Sequence, residues 1–245
     1  MSEILYMIVP AYNESENIGR LIDDWYPVVK RHAGEGESRL IIVNDGSKDN
    51  TYEIVSEYAK TRPLLKCLTK TNSGHGPTVL FGYRYAVENC ADYIFQTDSD
   101  GQTNPEEFEQ FWDLRNEYDA IIGKRTDRQD GISRKIVEGT LLVILRVIFK
   151  VKIPDSNAPF RLMKKELVEK YIKKMPEDFN LPNVMLTTYL AYFHEKVKFI
   201  KITFKPRQGG TNSINFKKIV KIGWKALYDF ANLKKHIDDE SGING

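Results

Sequence analysis

The chain has 245 residues, 41% of them hydrophobic, which is enough to bury the core of one large α/β domain or of two small domains. A net charge of +2 excludes a strong global field, so any attraction to a membrane must come from local patches, and no nucleic-acid partner is expected. Cys67 and Cys90 form no C-x-x-C or Cys-His spacing, which argues against a disulfide framework or a zinc site and favours a reducing, cytosolic setting.

Apolar runs alternate with helical patterns through the first half of the chain. The apolar runs are typical of strands that are buried on both faces, and segments with helical periodicity separate them. This alternation predicts an α/β fold with a mostly parallel sheet that is covered by helices on both faces. The predicted strands are 4–9, 40–43, 64–68, 93–97 and 120–122, and the predicted helices are about 16–30, 50–61, 77–89 and 105–117.

The regular alternation ends near residue 125. Beyond it the sequence predicts a long helix over about 134–150, a loop over 154–159 and short helical pieces. A strand over 198–204 and a last, amphipathic helix from about 215 follow, and an acidic tail ends the chain. Because no internal repeat or low-complexity linker interrupts the chain, we predict one domain over 1–213 with an appendage over 214–245.

Three of the predicted strands end in polar sequences, and the ligands of parallel sheets bind beyond the carboxyl ends of the strands. Each of these sequences alone fits ordinary turn chemistry, cap chemistry or solvated loop acids. Their joint occurrence at one edge of the sheet favours a binding site instead. The sequences are Val9-Pro10-Ala11-Tyr12-Asn13-Glu14, Val43-Asn44-Asp45-Gly46-Ser47 and Asp98-Ser99-Asp100-Gly101-Gln102.

The third of these sequences places two carboxylates, those of Asp98 and Asp100, directly after a buried strand. Hard divalent cations such as Mg²⁺ and Mn²⁺ prefer oxygen ligands and keep some positions open for water or substrate phosphate. A D-x-D triplet by itself is a weak signal, because short motifs also arise by chance. Its position at a strand end favours a metal site with Mg²⁺ or Mn²⁺ as the cofactor.

Taken together, the motifs between residue 4 and about residue 125 resemble those of the family 2 glycosyltransferases of GT-A fold, which has a Rossmann-like sheet. The motifs that carry this resemblance are the residues 9–14, 44–51, 72–76 and 98–100. The resemblance implies that 1–103 form the half of the domain that binds a nucleotide sugar and that 104–213 form the half that binds the acceptor.

The resemblance also assigns roles to the polar residues at the strand ends. Asp45 would pair with the base, Asp98 would contact the ribose or the metal, and Asp100 would bind the metal that bridges the diphosphate. A leaving nucleoside diphosphate develops negative charge, and a metal is a strong way to stabilise it. The implied nucleotide-sugar contacts are Pro10, Ala11, Tyr12, Glu14, Asn44, Asp45, Gly74, Asp98 and Ser99.

More loosely, the second half of the chain resembles the polyprenyl-phosphate branch of this family, which is similar to dolichol-phosphate mannose synthase. The branch implies that Gln102 is a further metal ligand. It also implies that arginines surround the donor and acceptor phosphates, which their planar forks bind bidentately. Asp155 would orient the acceptor or act as a base. The implied catalytic residues are Asp100, Arg125, Arg134, Asp155 and Arg207.

Two single residues and two residue pairs depart from the usual pattern of the family. Asn44 stands where a second acid is usual, and His75 stands where a Lys is common between two glycines. The other departures, at 158–159 and 212–213, lie in the acceptor half and leave the identity of the acceptor open. We interpret His75 as a structural residue or a phosphate-loop donor rather than a base, since nothing near it in the sequence suggests a partner acid.

Two segments bear on the membrane. The longest nearly apolar stretch, 141–149, is shorter than the ~20 residues that span a bilayer, and no leader pattern opens the chain. We therefore expect a cytoplasmic protein that is soluble or peripheral on the inner face of the membrane. The predicted helix 134–150 and the stripe 216–230 combine apolar and basic residues, so each lies in a lipid interface or packs on the core.

These observations predict an inverting, metal-dependent hexosyltransferase that moves a sugar from a UDP- or GDP-sugar to a polyprenyl phosphate at the cytoplasmic membrane face. One alternative acceptor is a sugar hydroxyl of a cell-envelope polysaccharide or a lipid-linked glycan, for which Asp155 or another carboxylate must be a general base. A remoter alternative is a nucleotide-sugar-binding scaffold without turnover. The sequence leaves open the sugar, the base, the oligomeric state and any membrane-protein partner.

Overall fold

A sheet of seven strands carries the fold in the computed structural model, which describes residues 3–34, 37–126, 132–205, 227–235 and 237. The strands are β1 (Leu5–Ala11), β2 (Arg39–Asn44), β3 (Leu65–Thr69), β4 (Tyr93–Gln96), β5 (Ala120–Thr126), β6 (Arg161–Lys164) and β7 (Val197–Thr203). The helices are α1 (Ile18–Arg31), α2 (Thr51–Ala59), α3 (His75–Glu88), α4 (Phe108–Asp113), α5 (Ile132–Phe149), α6 (Lys165–Ile172) and α7 (Pro182–Tyr192). A 3₁₀ turn at Pro105–Glu107 precedes α4.

The strand order across the sheet is β3-β2-β1-β4-β6-β5-β7. Strands β3, β2, β1 and β4 run parallel, and β5 pairs in parallel with β7. Strand β6 lies between β4 and β5 and is antiparallel to both. The predicted α/β fold with a mostly parallel sheet is therefore confirmed, and its four parallel strands bring their carboxyl ends to one edge.

Most of the predicted elements are present with ends that shift by a few residues. The strand predicted over 198–204 is β7, and the long helix predicted over 134–150 is α5. The helix predicted over 105–117 is shorter, because α4 ends at Asp113. The sequence analysis missed β6, which has only four residues and lies where short helical pieces were predicted. Residues 227–235 are helical, whereas the rest of the appendage predicted over 214–245, apart from residue 237, lies outside the described residues.

The core consists of two apolar layers, one on each face of the sheet. Strand side chains alternate between the faces. One layer packs the sheet against α3, α6 and α7, and it includes Ile8 and Val43. The other packs it against α1, α2 and α4, and it includes Met7 and Trp25. In this second layer the ring centroids of Trp25 and Phe95 lie 5.3 Å apart.

Helix α3 crosses the sheet at very short range. A Cβ added at Gly82 would lie 2.3 Å from Cγ2 of Ile8 and 3.3 Å from Cγ2 of Val43, so only glycine fits there without rearrangement. This contact holds the middle of α3 against β1 and β2. Within the part of the chain that the structure describes, none of the helices combines the length and the apolar character needed to cross a bilayer.

Candidate active site

The loops that follow β1 and β2 are fastened to each other at the carboxyl edge of the sheet. The backbone N–H of Asn13 donates to Oγ of Ser47 at 3.0 Å, and the N–H of Lys48 donates back to Oδ1 of Asn13 at 2.8 Å. The N–H of Glu14 donates to Oγ1 of Thr51 at 2.9 Å. We call residues 12–15 and 45–51 the paired loops. Polar residues of the two motifs therefore hold the two loops together.

Within the paired loops, Tyr12 offers an exposed ring at the sheet edge, with 42% of its surface accessible. The preceding residues of the motif, Pro10 and Ala11, belong to β1 and are buried. The side chain of Glu14 is 7% exposed, and its Oε2 accepts a hydrogen bond from Nδ2 of Asn17 at 2.8 Å. Of the predicted nucleotide contacts in this motif, Tyr12 thus has the most accessible side chain.

Asp45 is a buried carboxylate that the segment 70–74 surrounds with donors. Its Oδ1 accepts from Nζ of Lys70 at 2.5 Å and from the N–H of Ser73 at 3.0 Å, and its Oδ2 accepts from the N–H of Gly74 at 2.9 Å. Only 3% of Asp45 is exposed. A carboxylate has about four lone-pair positions, so a ligand finds roughly one of them unused.

Lys70 is a residue of this site that the sequence analysis missed. Besides Asp45, its Nζ donates to the carbonyl oxygen of Thr71 at 2.9 Å and to Oγ of Ser73 at 2.5 Å. Lys70 is the first residue after β3, so a polar residue at a further strand end of the same edge was the available signal. It closes the segment 70–74 over Asp45.

Asn44, where the family usually has a second acid, turns its side chain into the fold. Its Nδ2 donates to Oγ1 of Thr69 at 3.3 Å, and its Oδ1 accepts from the N–H of Ser47 at 3.1 Å. Only 2% of Asn44 is exposed. The side chain therefore shapes the turn after β2, and its contact with a nucleotide stays a prediction.

Asp98, Asp100 and Gln102 share the loop that follows β4. Oδ1 of Asp98 accepts from Nε2 of Gln96 at 3.3 Å, and Oδ1 of Asp100 accepts from the N–H of Gln102 at 3.3 Å. Nε2 of Gln102 donates to the carbonyl oxygen of Lys205 at 2.8 Å. Because this bond uses the nitrogen of the amide, its oxygen, Oε1, is on the side that points away from Lys205. Ser99, between the two aspartates, is buried.

This donor set fits a hard divalent cation. Two carboxylates and an amide oxygen are ligands that Mg²⁺ and Mn²⁺ accept, and both ions take further oxygens from water or phosphate. The described residues include no group of three or more His, Cys, Asp and Glu side chains placed to hold a metal ion. An ion bound at Asp98 and Asp100 would therefore draw its remaining ligands from Gln102, water and the substrate.

His75 faces the loop 98–102, which we call the metal loop for its predicted ligands, from the beginning of α3. Its Nε2 lies 3.9 Å from Oδ1 of Asp98, and its side chain is 56% exposed. The expectation that His75 has no acid nearby was therefore wrong, because the fold brings α3 beside the end of β4. Gly74 precedes the helix with a φ of 95°, a conformation that favours glycine. The imidazole thus lies beside the loop 98–102, which follows β4.

Asp155 and Arg125 form a buried bidentate ion pair. Nε of Arg125 lies 2.8 Å from Oδ2 of Asp155, and Nη2 lies 2.8 Å from Oδ1. The N–H of Asn157 also donates to Oδ1 of Asp155 at 3.2 Å, and the guanidinium stacks on the ring of Phe204 at 5.3 Å. Asp155 is 3% exposed. Both groups are thus engaged with each other, which weakens the expectations of Arg125 as a phosphate ligand and of Asp155 as a base.

The two remaining predicted arginines are described only in part or not at all. Arg134 lies near the beginning of α5, and its side chain is outside the described residues. Arg207 also lies outside them. Their roles at the phosphates stay predictions.

Comparison with known proteins identifies a family and several relatives. The profile of the family described as Glycosyl transferase family 2 matches residues 6–172. An undecaprenyl-phosphate 4-deoxy-4-formamido-L-arabinose transferase from Pectobacterium atrosepticum is 24% identical over 224 residues, 90% of this chain and 65% of the relative. A dolichyl-phosphate beta-glucosyltransferase from Trichomonas vaginalis is 39% identical over 107 residues, 42% of this chain and 31% of the relative. The chain thus spans less than two-thirds of these curated relatives.

Solved structures share the fold. Glucosyl-3-phosphoglycerate synthase from Mycobacterium tuberculosis, in complex with Mn²⁺, UDP-glucose and phosphoglyceric acid, matches with a TM-score of 0.69 at 14% identity. The match covers 95% of this chain and 80% of that chain. TarS residues 1–349 from S. aureus match with a TM-score of 0.57 at 19% identity, over 82% of this chain and 60% of that chain. These likenesses concern the fold, and they confirm the predicted GT-A architecture.

Proposed function

The chain belongs to glycosyl transferase family 2, and from this membership we propose that it transfers a sugar from a nucleoside diphosphate sugar to a polyprenyl phosphate. The observation that carries the proposal is the meeting of Asp45, Asp98 and Asp100 at the carboxyl edge of the parallel strands. The names of the two curated relatives, which specify undecaprenyl phosphate and dolichyl phosphate, support this acceptor class.

The donor would lie across the ends of β1, β2 and β4. Tyr12 offers its ring as a surface for the base, and the remaining lone pair of Asp45 suits a base N–H. That preference fits uracil and guanine, whose ring nitrogens carry a hydrogen beside a carbonyl group. Asp98, Asp100 and Gln102 would hold Mg²⁺ or Mn²⁺, which stabilises the charge of the departing nucleoside diphosphate when it is bound. The imidazole of His75, which lies 3.9 Å from Asp98, would stand beside the same phosphates.

The proposed reaction is a single displacement that inverts the anomeric carbon. A phosphate oxygen of the acceptor forms a bond to that carbon while the bond to the diphosphate breaks. This acceptor is already ionised and needs no base, which agrees with the engagement of Asp155 by Arg125. Arg134 and Arg207 would supply the positive charge around the acceptor phosphate.

We further propose that the enzyme works as a peripheral protein on the cytoplasmic face of a membrane, where a polyprenyl phosphate resides. Support comes from the outer face of α5. Val143 and Val147 are 61% and 72% exposed there, and Arg146 is exposed beside them, as is Lys150, the residue that follows the helix. Apolar and basic side chains on one helix face suit the interface of an anionic bilayer.

A matrix of nucleotide sugars against short polyprenyl phosphates, with products read by mass, tests the proposal directly. One combination should yield the acceptor plus one sugar, with release of the nucleoside diphosphate. The variant Asp100→Asn, which replaces one oxygen of a partly exposed loop carboxylate, should lose this product while keeping its thermal unfolding curve. No product from any combination in the presence of Mg²⁺ or Mn²⁺ would refute the proposal.

A further inference from the structure

A buried polar network lies directly behind Asp98. Gln96, the last residue of β4, donates from Nε2 to Oδ1 of Asp98 at 3.3 Å and accepts at Oε1 from the hydroxyl of Tyr83 at 2.9 Å. The same hydroxyl lies 3.2 Å from Oδ1 of Asn183. Gln96 and Tyr83 have no exposed surface, and Asn183 is 2% exposed.

The network ends at Arg161, whose guanidinium is fully buried. Arg161 is paired directly with Gln96 across β6 and β4, so their side chains share one face of the sheet. Nη1 of Arg161 donates to the backbone oxygen of Asn183 at 3.1 Å and to Oγ1 of Thr187 at 3.3 Å. Its Nη2 and Nε donate to the carbonyl oxygen of Ala158 at 2.6 and 3.0 Å.

Burial of these groups is costly, and their partners specify one arrangement. Desolvation raises the pKa of Tyr83, so its hydroxyl remains a donor, and desolvation lowers the pKa of Arg161. Because the hydroxyl of Tyr83 donates its proton to Oε1 of Gln96, that oxygen is the acceptor end of the Gln96 amide. The NH₂ end must then point at Asp98. Arg161 fixes the backbone of Asn183, which supports Tyr83 from the acceptor half of the domain.

We propose that Gln96, Tyr83, Asn183 and Arg161 are positioning residues that hold the Asp98 carboxylate in the orientation needed to bind a divalent cation. The inference rests on the proposed function, because it takes Asp98 to be a metal ligand. Hydrogen bonds from outside the coordination sphere orient ligating carboxylates and tune metal affinity, and their loss typically weakens binding by about 10–100-fold. The network also makes the metal site depend on β6 and α7, which belong to the acceptor half.

The matched control is Tyr171, another tyrosine without exposed surface whose hydroxyl bonds to a side chain, that of Glu195. Tyr171→Phe removes the same atom from the same core layer, away from the metal loop. The test titrates Mn²⁺ in the presence of saturating UDP and, separately, GDP, and it follows free Mn²⁺ by electron paramagnetic resonance. Thermal unfolding of each variant reports whether it is folded.

We expect Gln96→Met to raise the Mn²⁺ dissociation constant about tenfold, Tyr83→Phe to raise it about threefold, and Tyr171→Phe to leave it within about twofold. Wild-type affinity in both Gln96→Met and Tyr83→Phe would overturn the inference, and so would an equal loss in Tyr171→Phe. If Gln96→Met does not fold, the comparison of the Mn²⁺ dissociation constants of Tyr83→Phe and Tyr171→Phe decides the test. Asp100→Asn separates the two proposals. If the wild-type protein and this variant bind Mn²⁺ equally, no metal is bound at Asp100, and the proposed function fails instead.

Discussion

At the scale of single residues, Asp45 would combine two tasks, because it holds the segment 70–74 and, in the proposed function, binds the base of the donor. It accepts three hydrogen bonds from the segment 70–74, which stabilise that segment, and about one of its lone-pair positions remains for a ligand. Lys70, with 16% of its side chain exposed, depends on this carboxylate for its counter-charge. The loss of Asp45 would therefore affect both the affinity for the donor and the stability of the fold.

Asp45→Ala should weaken the binding of the donor nucleotide by roughly 1–3 kcal/mol, the scale of a lost hydrogen bond to a charged group. Calorimetric titration with UDP and GDP measures this change. Asp45→Ala should also lower the free energy of unfolding, because Lys70 loses its partner in a site with little solvent. Unchanged nucleotide affinity would contradict the role of Asp45 in base recognition.

A double variant separates the two tasks. In Asp45→Ala combined with Lys70→Met, no charge is left unpaired, so denaturant unfolding should recover part of the lost stability. The affinity for the nucleotide should stay low, because the acceptor is still absent. Recovery of affinity in the double variant would mean that the single substitution acted only through disorder of the segment 70–74.

The residue contacts that the sequence did not reveal join positions that are distant along the chain. Asp98 meets His75 through the packing of α3 against β1, and Asp45 meets Lys70 across neighbouring strand ends. The strand-end motifs indicated which residues form the edge, because the carboxyl ends of parallel strands coincide. They did not indicate which side chains touch, because that depends on the helix positions and on close contacts such as that of Gly82.

At the scale of elements, two helical glycines offer a matched pair for measuring how closely α3 must approach the sheet. Gly82→Ala places a methyl group 2.3 Å from Ile8 and should cost about 1–3 kcal/mol of stability. Gly139→Ala on α5 meets nothing within 4 Å and should be neutral or stabilising by up to about 1 kcal/mol. Chemical denaturation of both variants measures the difference. Equal effects would contradict the tight contact.

The outer face of α5 gives a test of membrane association. Replacing Val143 and Val147 with Ser should reduce co-sedimentation with anionic vesicles, because two exposed apolar side chains no longer enter the interface. Replacing Arg146 and Lys150 with Gln should remove about 1 kcal/mol per residue at low salt and flatten the salt dependence.

The control for this test removes the same number of positive charges from a different element of the fold. Lys196 precedes β7, and Lys198 is the second residue of that strand. Both lysines are exposed and lie over the ring of Tyr118. Their replacement with Gln changes the net charge equally. If it reduces vesicle binding as much as the α5 change does, attraction is general and α5 is not the membrane-binding element.

Strand β6 marks the limit of sequence analysis at this scale. It has four residues, Arg161–Lys164, and begins and ends with basic residues, so it lacks the apolar run of a buried central strand. Between β4 and β5 its first residue, Arg161, is buried and donates to backbone carbonyl groups. No local pattern predicts that a guanidinium will be buried in this way.

At the scale of the whole molecule, the two acceptor classes make opposite demands on the second half of the chain. With a phosphate acceptor, Arg134→Gln and Arg207→Gln should reduce transfer at least tenfold while the slow hydrolysis of the donor by water changes little. Lys at either position should restore transfer only in part, since an ammonium keeps the charge but loses the fork. Product mass and release of the diphosphate measure the two rates.

A sugar hydroxyl as acceptor would reverse this pattern. The arginine variants should then matter little, and Asp155→Asn should be severe because a general base is lost. The bidentate pair adds a control, since Asp155→Asn also removes the charge of the carboxylate that binds Arg125 bidentately, leaves only the longer ion pair with Glu138, and should lower the stability. Arg125→Gln breaks the same ion pair. If it loses as much stability as Asp155→Asn but leaves transfer unchanged, the effect of Asp155→Asn on transfer is chemical and does not come from weaker folding.

The paired loops have a consequence for engineering. Because Asn13, Glu14, Ser47, Lys48 and Thr51 bond across from one loop to the other, neither loop can be exchanged alone without leaving donors and acceptors unmatched. A graft that aims to change nucleotide preference must therefore transplant 12–15 together with 45–51 as one cassette. A relative that supplies both segments is a usable source, whereas point changes drawn from several relatives would mix incompatible halves of the cassette.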